Sequence, residues 1–319
     1  MKTAFDRRQA IALLAAGSAG LAPLRAFGAT SELRIGYQKS SVNLMVARER
    51  RLLDATLPGV GVKWVEFPAG PQILEALAVG SLDFGFTGDT PPVFAQAAGK
   101  DIWYVGLEPP KPASSAILVP RDSPIRSLSD LKGRRIGLQK GSSSHYLVLR
   151  ALEKGGLQWS DITALYLAPS DARAAFEKGA LDAWSIWDPY YAAAEIDGRA
   201  RVLTTGKGLT SNNSFYLGSR ELTRRPAIVR GLFAALTQAD ALGRANLPQT
   251  AKFLSEATGV PLAGTIRFLD RRSSGPITVL KPSDIADQQR VADAFSRAGL
   301  IPKPLKVADA VWQPGSSFA

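Results

Sequence analysis

The sequence predicts an α/β fold made of two lobes of similar construction. Short runs rich in β-branched and aromatic residues alternate with longer stretches of helical spacing, a pattern typical of strand–helix–strand units with largely parallel sheets. Two segments also match each other: GSLDFGFTGDTP from Gly80 and GALDAWSIWDPY from Gly179. In both, a glycine ends a helix, Leu-Asp leads into a strand, and an aspartate follows nine residues after the glycine. A chain of 319 residues is long enough for two domains of about 150 residues each.

The strand-forming runs lie at 33–37, 62–67, 82–88, 103–108, 116–119, 134–138, 181–187 and 214–219. Helices are predicted where apolar residues recur at helical spacing, at 43–55, 71–80, 144–156, 172–179 and 225–245. After the strand at 116–119 we expect the second lobe to begin, and the strand at 214–219 to return the chain to the first.

Residues 1–29 have the features of an export signal. A basic start precedes the short apolar stretch IALLAAGSAGLA, and AFG before Ala29 has the form of a cleavage site. The apolar stretch is too short to span a membrane. The pair Arg7-Arg8 fits a twin-arginine signal, and an ordinary secretory signal fits equally well. Either route predicts an exported, soluble protein, periplasmic if the source is Gram-negative, and the lack of cysteine argues against a lipid anchor.

Composition excludes several classes of function. The chain has no cysteine and a single histidine, His145, which excludes disulfides, thiol catalysis and multi-histidine metal sites; we expect no cofactor. Residues 1–29 carry four basic side chains and one acidic one, so the remainder has a net charge of +8 rather than +11. This surplus suits the steering of small anions. The basic pairs are scattered and not interleaved with aromatic residues, so we expect no nucleic-acid partner.

Three predicted helix starts carry the candidate site: GSSSH, GDTPP and WDPYY. Each follows a predicted strand, so each lies at the carboxyl end of a strand, where α/β proteins bind ligands. Each also contains residues that cap helices, and capping alone is a sufficient explanation for Ser142, for Asp89 or Thr90, and for Asp188.

Together the three starts predict a site for a small oxyanion held mainly by hydrogen bonds. Helix starts present unpaired N–H groups and a partial positive charge. Neutral donor side chains lie among them: Ser142, Ser143, Thr90 and His145. Gln38, after the first strand, adds an amide donor. Trp187 offers an apolar wall, although a place in the core explains it equally well.

Catalysis by Ser143 and His145 is not expected. Residues two apart at a helix start do not face each other. The sequence has no G-x-S-x-G motif, and it offers few side chains that could act as a base. We therefore do not expect a hydrolase.

A resemblance extends over nearly the whole chain, from about Leu33 to VWQPG at 311–315. It is carried by the motifs YQKSS, EFPAGPQILEAL, GDTPPVFAQAAG, YVGLEPPKP, QKGSSSH, ARAAF and IWDPYY. The chain resembles the periplasmic aliphatic sulfonate-binding proteins of ABC transporters. This implies a type II periplasmic binding protein, with two Rossmann-like lobes joined by two crossover strands: 30–118 with 216–319, and 119–215. It further implies a monomer that closes on an alkanesulfonate anion and delivers it to an inner-membrane ABC permease with its ATPase, for sulfur acquisition.

The resemblance also implies a set of ligand-binding residues. In this family and its taurine-binding relatives, the anion is held by donors from loops that match Gln38, Gly88, Asp89, Thr90, Ser142, Ser143 and His145, and the cleft is lined by residues that match Trp187 and Asp188. A sulfonate is ionised and has three acceptor oxygens, so donor groups suit it. We therefore expect Asp89 and Asp188 to orient and cap, and neutral His145 to donate an N–H.

Three positions and the identity of the ligand are not determined by the motifs. Ser40 stands where the family commonly has glycine, and the roles of Asn212 and Asn213 are undetermined. Taurine, nitrate, bicarbonate or a thiamine-pyrimidine precursor are alternative ligands. A pyrimidine-precursor synthase is an alternative within the same fold, but those enzymes are intracellular, so the signal at 1–29 favours a binding protein rather than an enzyme.

Overall fold

A computed structural model describes residues 32–314, and the predicted export signal at 1–29 lies outside the described residues. The strands within this range are β1 (Glu32–Tyr37), β2 (Gly61–Glu66), β3 (Phe84–Gly88), β4 (Trp103–Glu108), β5 (Ser115–Pro120), β6 (Arg135–Leu138), β7 (Thr163–Tyr166), β8 (Ala183–Trp187), β9 (Ala200–Thr205) and β10 (Ser214–Gly218). The α-helices are α1 (Val42–Glu49), α2 (Leu52–Thr56), α3 (Gly70–Ala78), α4 (Thr90–Ala97), α5 (Ser143–Lys154), α6 (Pro169–Glu177), α7 (Tyr190–Ile196), α8 (Arg220–Thr223), α9 (Pro226–Ala245), α10 (Leu247–Thr258), α11 (Leu262–Asp270) and α12 (Pro282–Arg297).

The strands form two mixed sheets with the orders β2-β1-β3-β10-β4 and β7-β6-β8-β5-β9. In the first sheet, β1 runs parallel to β2 and β3, whereas β10 runs antiparallel to β3 and β4. The second sheet repeats this arrangement with β6 and β5 in the places of β1 and β10. The repeat confirms two Rossmann-like halves. The prediction of largely parallel sheets was only partly right. In each sheet the strand that follows a crossing from the other sheet, β10 or β5, runs antiparallel to both of its neighbours.

The chain crosses between the sheets twice, from β4 to β5 and from β9 to β10, which confirms the predicted double connection. We call 109–114 and 206–213 the two crossover segments. β5 pairs wholly in the second sheet and β10 wholly in the first. The lobe boundaries predicted at 118 and 216 therefore each cut through a strand.

Local details differ from the sequence prediction for physical reasons. β7 and β9 were not predicted; both are edge strands without alternation between buried and exposed positions. The helix predicted at 43–55 is two helices, because Arg51 adopts a left-handed φ of 51° between α1 and α2.

The two matching sequence segments make the same contacts in the two halves. Arg34 of β1 holds both carboxylate oxygens of Asp83, with Nη2 2.7 Å from Oδ1 and Nε 2.9 Å from Oδ2. Arg135 of β6 holds Asp182 in the same way, at 2.9 and 3.1 Å. Each arginine also donates to the carbonyl of the glycine that opens its segment. This Arg–Asp clasp fixes the entry of β3 and β8, the strands that end at the candidate site.

Helices cover both faces of each sheet. Apolar residues of α1, α2, α9 and α10 bury one face of the first sheet, and those of α3, α4 and α12 bury the other. The second sheet lies between α5 on one face and α6 with α7 on the other. Within residues 32–314, no helix combines the length and the hydrophobicity that a membrane crossing needs.

Candidate functional site

A cavity lies between the two sheets, where the loops after β1, β3, β6 and β8 meet. It contains about 480 Å³ of empty space, part of it open to solvent. Both halves of the chain line it, through Gln38, Ser40, Gly70, Phe86, Thr87, Gly88, Pro91, Lys111, Ser114, Ser142, Ser143, Trp187, Asp188, Asn212, Ser214 and Phe268.

Six of the nine predicted site residues line this cavity: Gln38, Gly88, Ser142, Ser143, Trp187 and Asp188. Four separate segments of the chain therefore meet at one place, as expected for loops at the carboxyl ends of strands. The other three predicted residues, Asp89, Thr90 and His145, lie behind the cavity wall.

The start of α5 presents donors to the cavity. Ser142 occupies the N-cap position, but its hydroxyl donates to the carbonyl of Gln139 at 2.8 Å instead of accepting from the first turn. This differs from the capping bond expected for Ser142. Because the first N–H groups of a helix have no partner within it, the backbone N–H of Ser143 remains available to a ligand.

Glycines allow the wall segments to approach closely. A Cβ atom on Gly88 would lie 2.0 Å from Oγ of Ser143, which belongs to the other half of the protein. A Cβ on Gly70, at the start of α3, would lie 1.9 Å from Oγ1 of Thr87. Contacts this short are not possible, so a side chain at either position would force the neighbouring residues to shift and would change the shape of the cavity.

Asp89 is fully buried, and its carboxylate accepts hydrogen bonds from the protein. The Thr90 hydroxyl donates to it at 2.9 Å, and the Ser143 hydroxyl and the Thr90 backbone N–H also donate. Burial raises the pKa of Asp89 to about 6, against the effect of these donors. The Thr90 hydroxyl is thus committed to Asp89 rather than facing a ligand. Since Pro91 and Pro92 have no N–H, α4 offers an anion fewer donors than α5 does.

His145 is buried and does not reach the cavity. Its Nδ1 accepts the backbone N–H of Gly141 at 3.3 Å, and its ring lies among aromatic rings of both halves: Phe94, Trp159, Tyr166 and Phe295. Burial, with the nearby Lys140, lowers the pKa of His145 to about 3, so the ring is neutral. The expected direct N–H donation to the ligand does not fit this placement, because other side chains enclose the ring.

Asp188 lines the cavity, and its negative charge is compensated by the start of α7 and by Arg271. Its Oδ1 accepts the N–H of Ala192 at 3.0 Å, in the first turn of α7, and lies 3.1 Å from Nη1 of Arg271. Arg271 also binds Glu195 and lies 3.8 Å above the Tyr191 ring. Burial raises the pKa of Asp188 to about 7, although Arg271 opposes the rise. The carboxylate is thus occupied by a helix start and a guanidinium.

Several lining residues were not identified from the sequence. Thr87 is fully buried beside the cavity, and its hydroxyl has no hydrogen-bond partner among the described residues. Phe268 of α11 adds an apolar wall opposite the polar loops. Asn212, whose role was open, lines the cavity and donates to the carbonyl of Lys111 at 2.9 Å, whereas Asn213 points elsewhere and binds Asp287. For these lining residues the sequence contained one indication, the charged residues Glu108 and Lys111 within an otherwise apolar motif.

The cavity suits the binding of a small anion with an apolar tail. Its lining combines hydroxyl and amide side chains, the charged residues Lys111 and Asp188, and aromatic rings. Across residues 32–314, no group of three or more carboxylate or imidazole side chains is arranged to hold a metal ion. The two halves, the double crossing and the shared cavity define the class of periplasmic binding proteins.

Comparison with known proteins gives the family. The NMT1/THI5-like pattern matches residues 56–243. The chain is 47% identical over 305 residues to the aliphatic sulfonates-binding protein of Escherichia coli (strain K12), covering 93% of this chain and 95% of that one. The chain therefore belongs to the NMT1/THI5-like family and, within it, to the group of aliphatic sulfonate-binding proteins.

Solved structures agree with this assignment. The alkanesulfonate-binding protein SsuA from Xanthomonas axonopodis pv. citri, bound to MOPS, is 48% identical and superposes with a TM-score of 0.86, covering 88% of this chain and 98% of that one. The periplasmic aliphatic sulphonate binding protein SsuA from Escherichia coli is also 48% identical, with a TM-score of 0.82 and coverage of 89% and 98%.

Proposed function

We propose that this protein captures alkanesulfonates in the cavity between its sheets and delivers them to an ABC importer, without catalysing a reaction. The observation that carries the proposal is the composition of the cavity. The α5 start and the unpartnered Thr87 hydroxyl supply donors for a sulfonate, which has three acceptor oxygens and a permanent negative charge. Trp187 and Phe268 supply the apolar surface that an alkyl chain requires.

The relatives support this choice of ligand. The Xanthomonas axonopodis protein is named for alkanesulfonate binding and was solved with MOPS, which is itself a sulfonate on a propyl chain. The SsuA protein from Escherichia coli is named for aliphatic sulphonates and for the periplasm. We extend both properties to this chain.

We propose that the two halves act as lobes that close on the ligand by bending at the crossover segments. Closure brings the loops of both sheets onto one anion and excludes water, which strengthens each hydrogen bond. Contacts already join the halves beside the cavity, such as the hydrogen bond from Ser143 to Asp89. In this proposal the nine residues named from the sequence divide into those that contact the ligand and those behind the wall that position them.

We also propose the setting in which the protein works. It is an exported, soluble, monomeric protein of the periplasm without a lipid anchor, and it has no nucleic-acid partner. Its partner is an inner-membrane permease with its ATPase. The net charge of +8 outside residues 1–29 favours the approach of anionic solutes.

The cavity favours a simple alkanesulfonate over the alternatives. Taurine carries an ammonium group that needs a free carboxylate, and Asp188 is occupied by Arg271. Nitrate is small and planar and would leave the wall of Trp187 and Phe268 unused. A pyrimidine ligand would depend on stacking more than on hydroxyl donors, so it would tolerate loss of the Ser143 hydroxyl.

Isothermal titration calorimetry on residues 30–319 tests the proposal with ethanesulfonate, taurine, sulfate, nitrate and an aminopyrimidine. We expect the tightest binding for ethanesulfonate. Ser143→Ala should weaken ethanesulfonate binding about tenfold, because in this proposal the hydroxyl that donates to Asp89 in the free protein turns to the charged sulfonate when the ligand binds. Ser170→Ala, at an exposed position, is the matched control. No binding of a sulfonate at millimolar concentration, together with tight binding of nitrate, would overturn the ligand assignment.

A further inference from the structure

Lys111 is the one cationic side chain among the described residues that line the cavity. It lies in the first crossover segment, and its side chain is 10% exposed. Its Nζ is 2.7 Å from Oε2 of Glu108 and 5.2 Å from the centre of the Phe86 ring. An ammonium group has three N–H donors, and within residues 32–314 Glu108 is its one hydrogen-bond acceptor. The other two N–H groups have no acceptor among these residues, although the ammonium also lies over the Phe86 ring.

Glu108 keeps other partners if Lys111 turns partly toward a ligand. Its Oε1 accepts the hydroxyl of Tyr216 at 2.7 Å and the amide of Asn43 at 2.9 Å, and Nη2 of Arg272 lies 4.0 Å from Oε2. Burial acts to raise the pKa of Glu108, but Lys111 and Arg272 outweigh it and hold that pKa below its usual value. Lys111 can thus be shared without leaving a buried carboxylate unpaired.

The backbone holds Lys111 at a defined place. Its N–H donates to the carbonyl of Ser211 at 3.1 Å, and its carbonyl accepts the side-chain amide of Asn212 at 2.9 Å. These bonds join the two crossover segments. The charge therefore sits at the point about which the halves would move, and is not carried on a mobile loop.

We propose that Lys111 makes the cavity selective for charged ligands, with one N–H held by Glu108 and the others donated to the oxygens of the anion. This inference rests on the proposed function, because the anion is the alkanesulfonate. Hydroxyls and amides donate to neutral oxygens as well as to charged ones, whereas an ammonium in a buried wall adds a full positive charge that favours an anion over a neutral ligand. Asp188 does not cancel this attraction, since Arg271 neutralises it.

The test compares ethanesulfonate with ethyl methyl sulfone, a neutral ligand of nearly the same shape. The variant is the double substitution Glu108→Gln with Lys111→Met, which removes the ion pair together and leaves the net charge of the protein unchanged. In the wild type we expect the sulfonate to bind far more tightly than the sulfone. In the double variant, the ratio of the two affinities should fall by roughly ten- to a hundredfold, mainly through weaker sulfonate binding. Lys111→Arg should keep most of the ratio.

The outcomes separate this inference from the proposed function. If the wild type binds no sulfonate, the function itself is wrong. If it does bind, and the folded double variant keeps the same affinity ratio, Lys111 is not the selective residue. A second test needs no folded double variant: the 15Nζ signal of Lys111 in the wild type, assigned by its absence in Lys111→Arg, should shift with ethanesulfonate and not with the sulfone. A signal unmoved by bound sulfonate contradicts the inference.

Discussion

The imidazole of His145 lies 4.9 Å from the ring of Phe295, edge to face, and joins α5 of one half to α12 of the other. Trp159 and Phe94 pack beside the same imidazole, at 4.6 and 5.8 Å. Its Nδ1 also holds the N–H of Gly141, in the turn that leads into α5. One side chain therefore bridges the halves and fixes the turn whose next residues reach the cavity.

Replacing His145 should weaken ligand binding without touching the ligand. In His145→Leu the Gly141 N–H loses its acceptor and the ring contacts with Phe295 and Trp159 change. We expect about a tenfold loss of ethanesulfonate affinity, mainly through faster dissociation. Stopped-flow tryptophan fluorescence measures both rates. His145→Asn, which keeps an acceptor near the position of Nδ1, should recover part of the loss. Equal dissociation rates in the wild type and in His145→Leu would show that the bridge does not support the site.

Gly88→Ala should close part of the cavity. The added Cβ would meet Oγ of Ser143 at 2.0 Å and its Cβ at 3.3 Å, so the Ser143 hydroxyl must turn away from Asp89 or the two loops must separate. We expect sulfonate affinity to fall at least about tenfold, with a smaller effect on the unfolding midpoint in urea. Gly61→Ala is the matched control, because nothing lies within 4 Å of its added Cβ. An unchanged dissociation constant in Gly88→Ala would contradict the close contact between the halves.

Asp89→Asn should change how stability depends on pH. Because the folded-state pKa of Asp89 is raised to about 6 from an ordinary value of 3.8, the folded protein binds the extra proton between those values. Its contribution to stability is therefore lost as pH rises through that window. The asparagine variant lacks this loss, so it should gain on the wild type by about 2 kcal/mol between pH 4 and pH 7. Urea unfolding across this range measures the difference, with the exposed Asp122→Asn as control. A pH-independent difference would be inconsistent with a buried, proton-binding Asp89.

Arg271→Met should make ligand binding sensitive to pH. Arg271 opposes the burial that raises the pKa of Asp188 to about 7, and its loss leaves any ionised Asp188 uncompensated on the cavity wall. We expect sulfonate affinity near the wild-type value at pH 6, where Asp188 is protonated, and about tenfold lower at pH 9. Arg267→Met removes a more exposed arginine 3.9 Å from Glu195 and is the control. Parallel pH profiles for wild type and Arg271→Met would exclude this role.

Strand ends and local pairs were predictable from the sequence. The matching segments at Gly80 and Gly179 indicated two similar halves. The physical basis of the match is that, in each half, the aspartate before the strand is held by an arginine of the neighbouring strand. Loops after neighbouring parallel strands of one sheet share an edge, which is why Ser143 and Trp187 both line the cavity.

Residues outside that rule could not be placed. Lys111 lies on a crossover segment and Phe268 on α11, and their approach to the cavity depends on how distant parts of the chain pack. The direction of the His145 ring was equally hidden, since Phe295, which encloses it, lies far away in the sequence. The position of His145 near a helix start indicated a hydrogen-bond donor to the ligand. Packing instead places the ring where it holds the turn before α5.

The duplicated Arg–Asp clasp has a consequence for release. Each clasp lies within one half and holds the start of a strand whose other end reaches the candidate site, so separating the halves would leave both clasps intact. Separation of the halves would therefore divide the contacts to a bound anion without changing the fold of either sheet. The ligand-free protein could then bind another anion without refolding of either half.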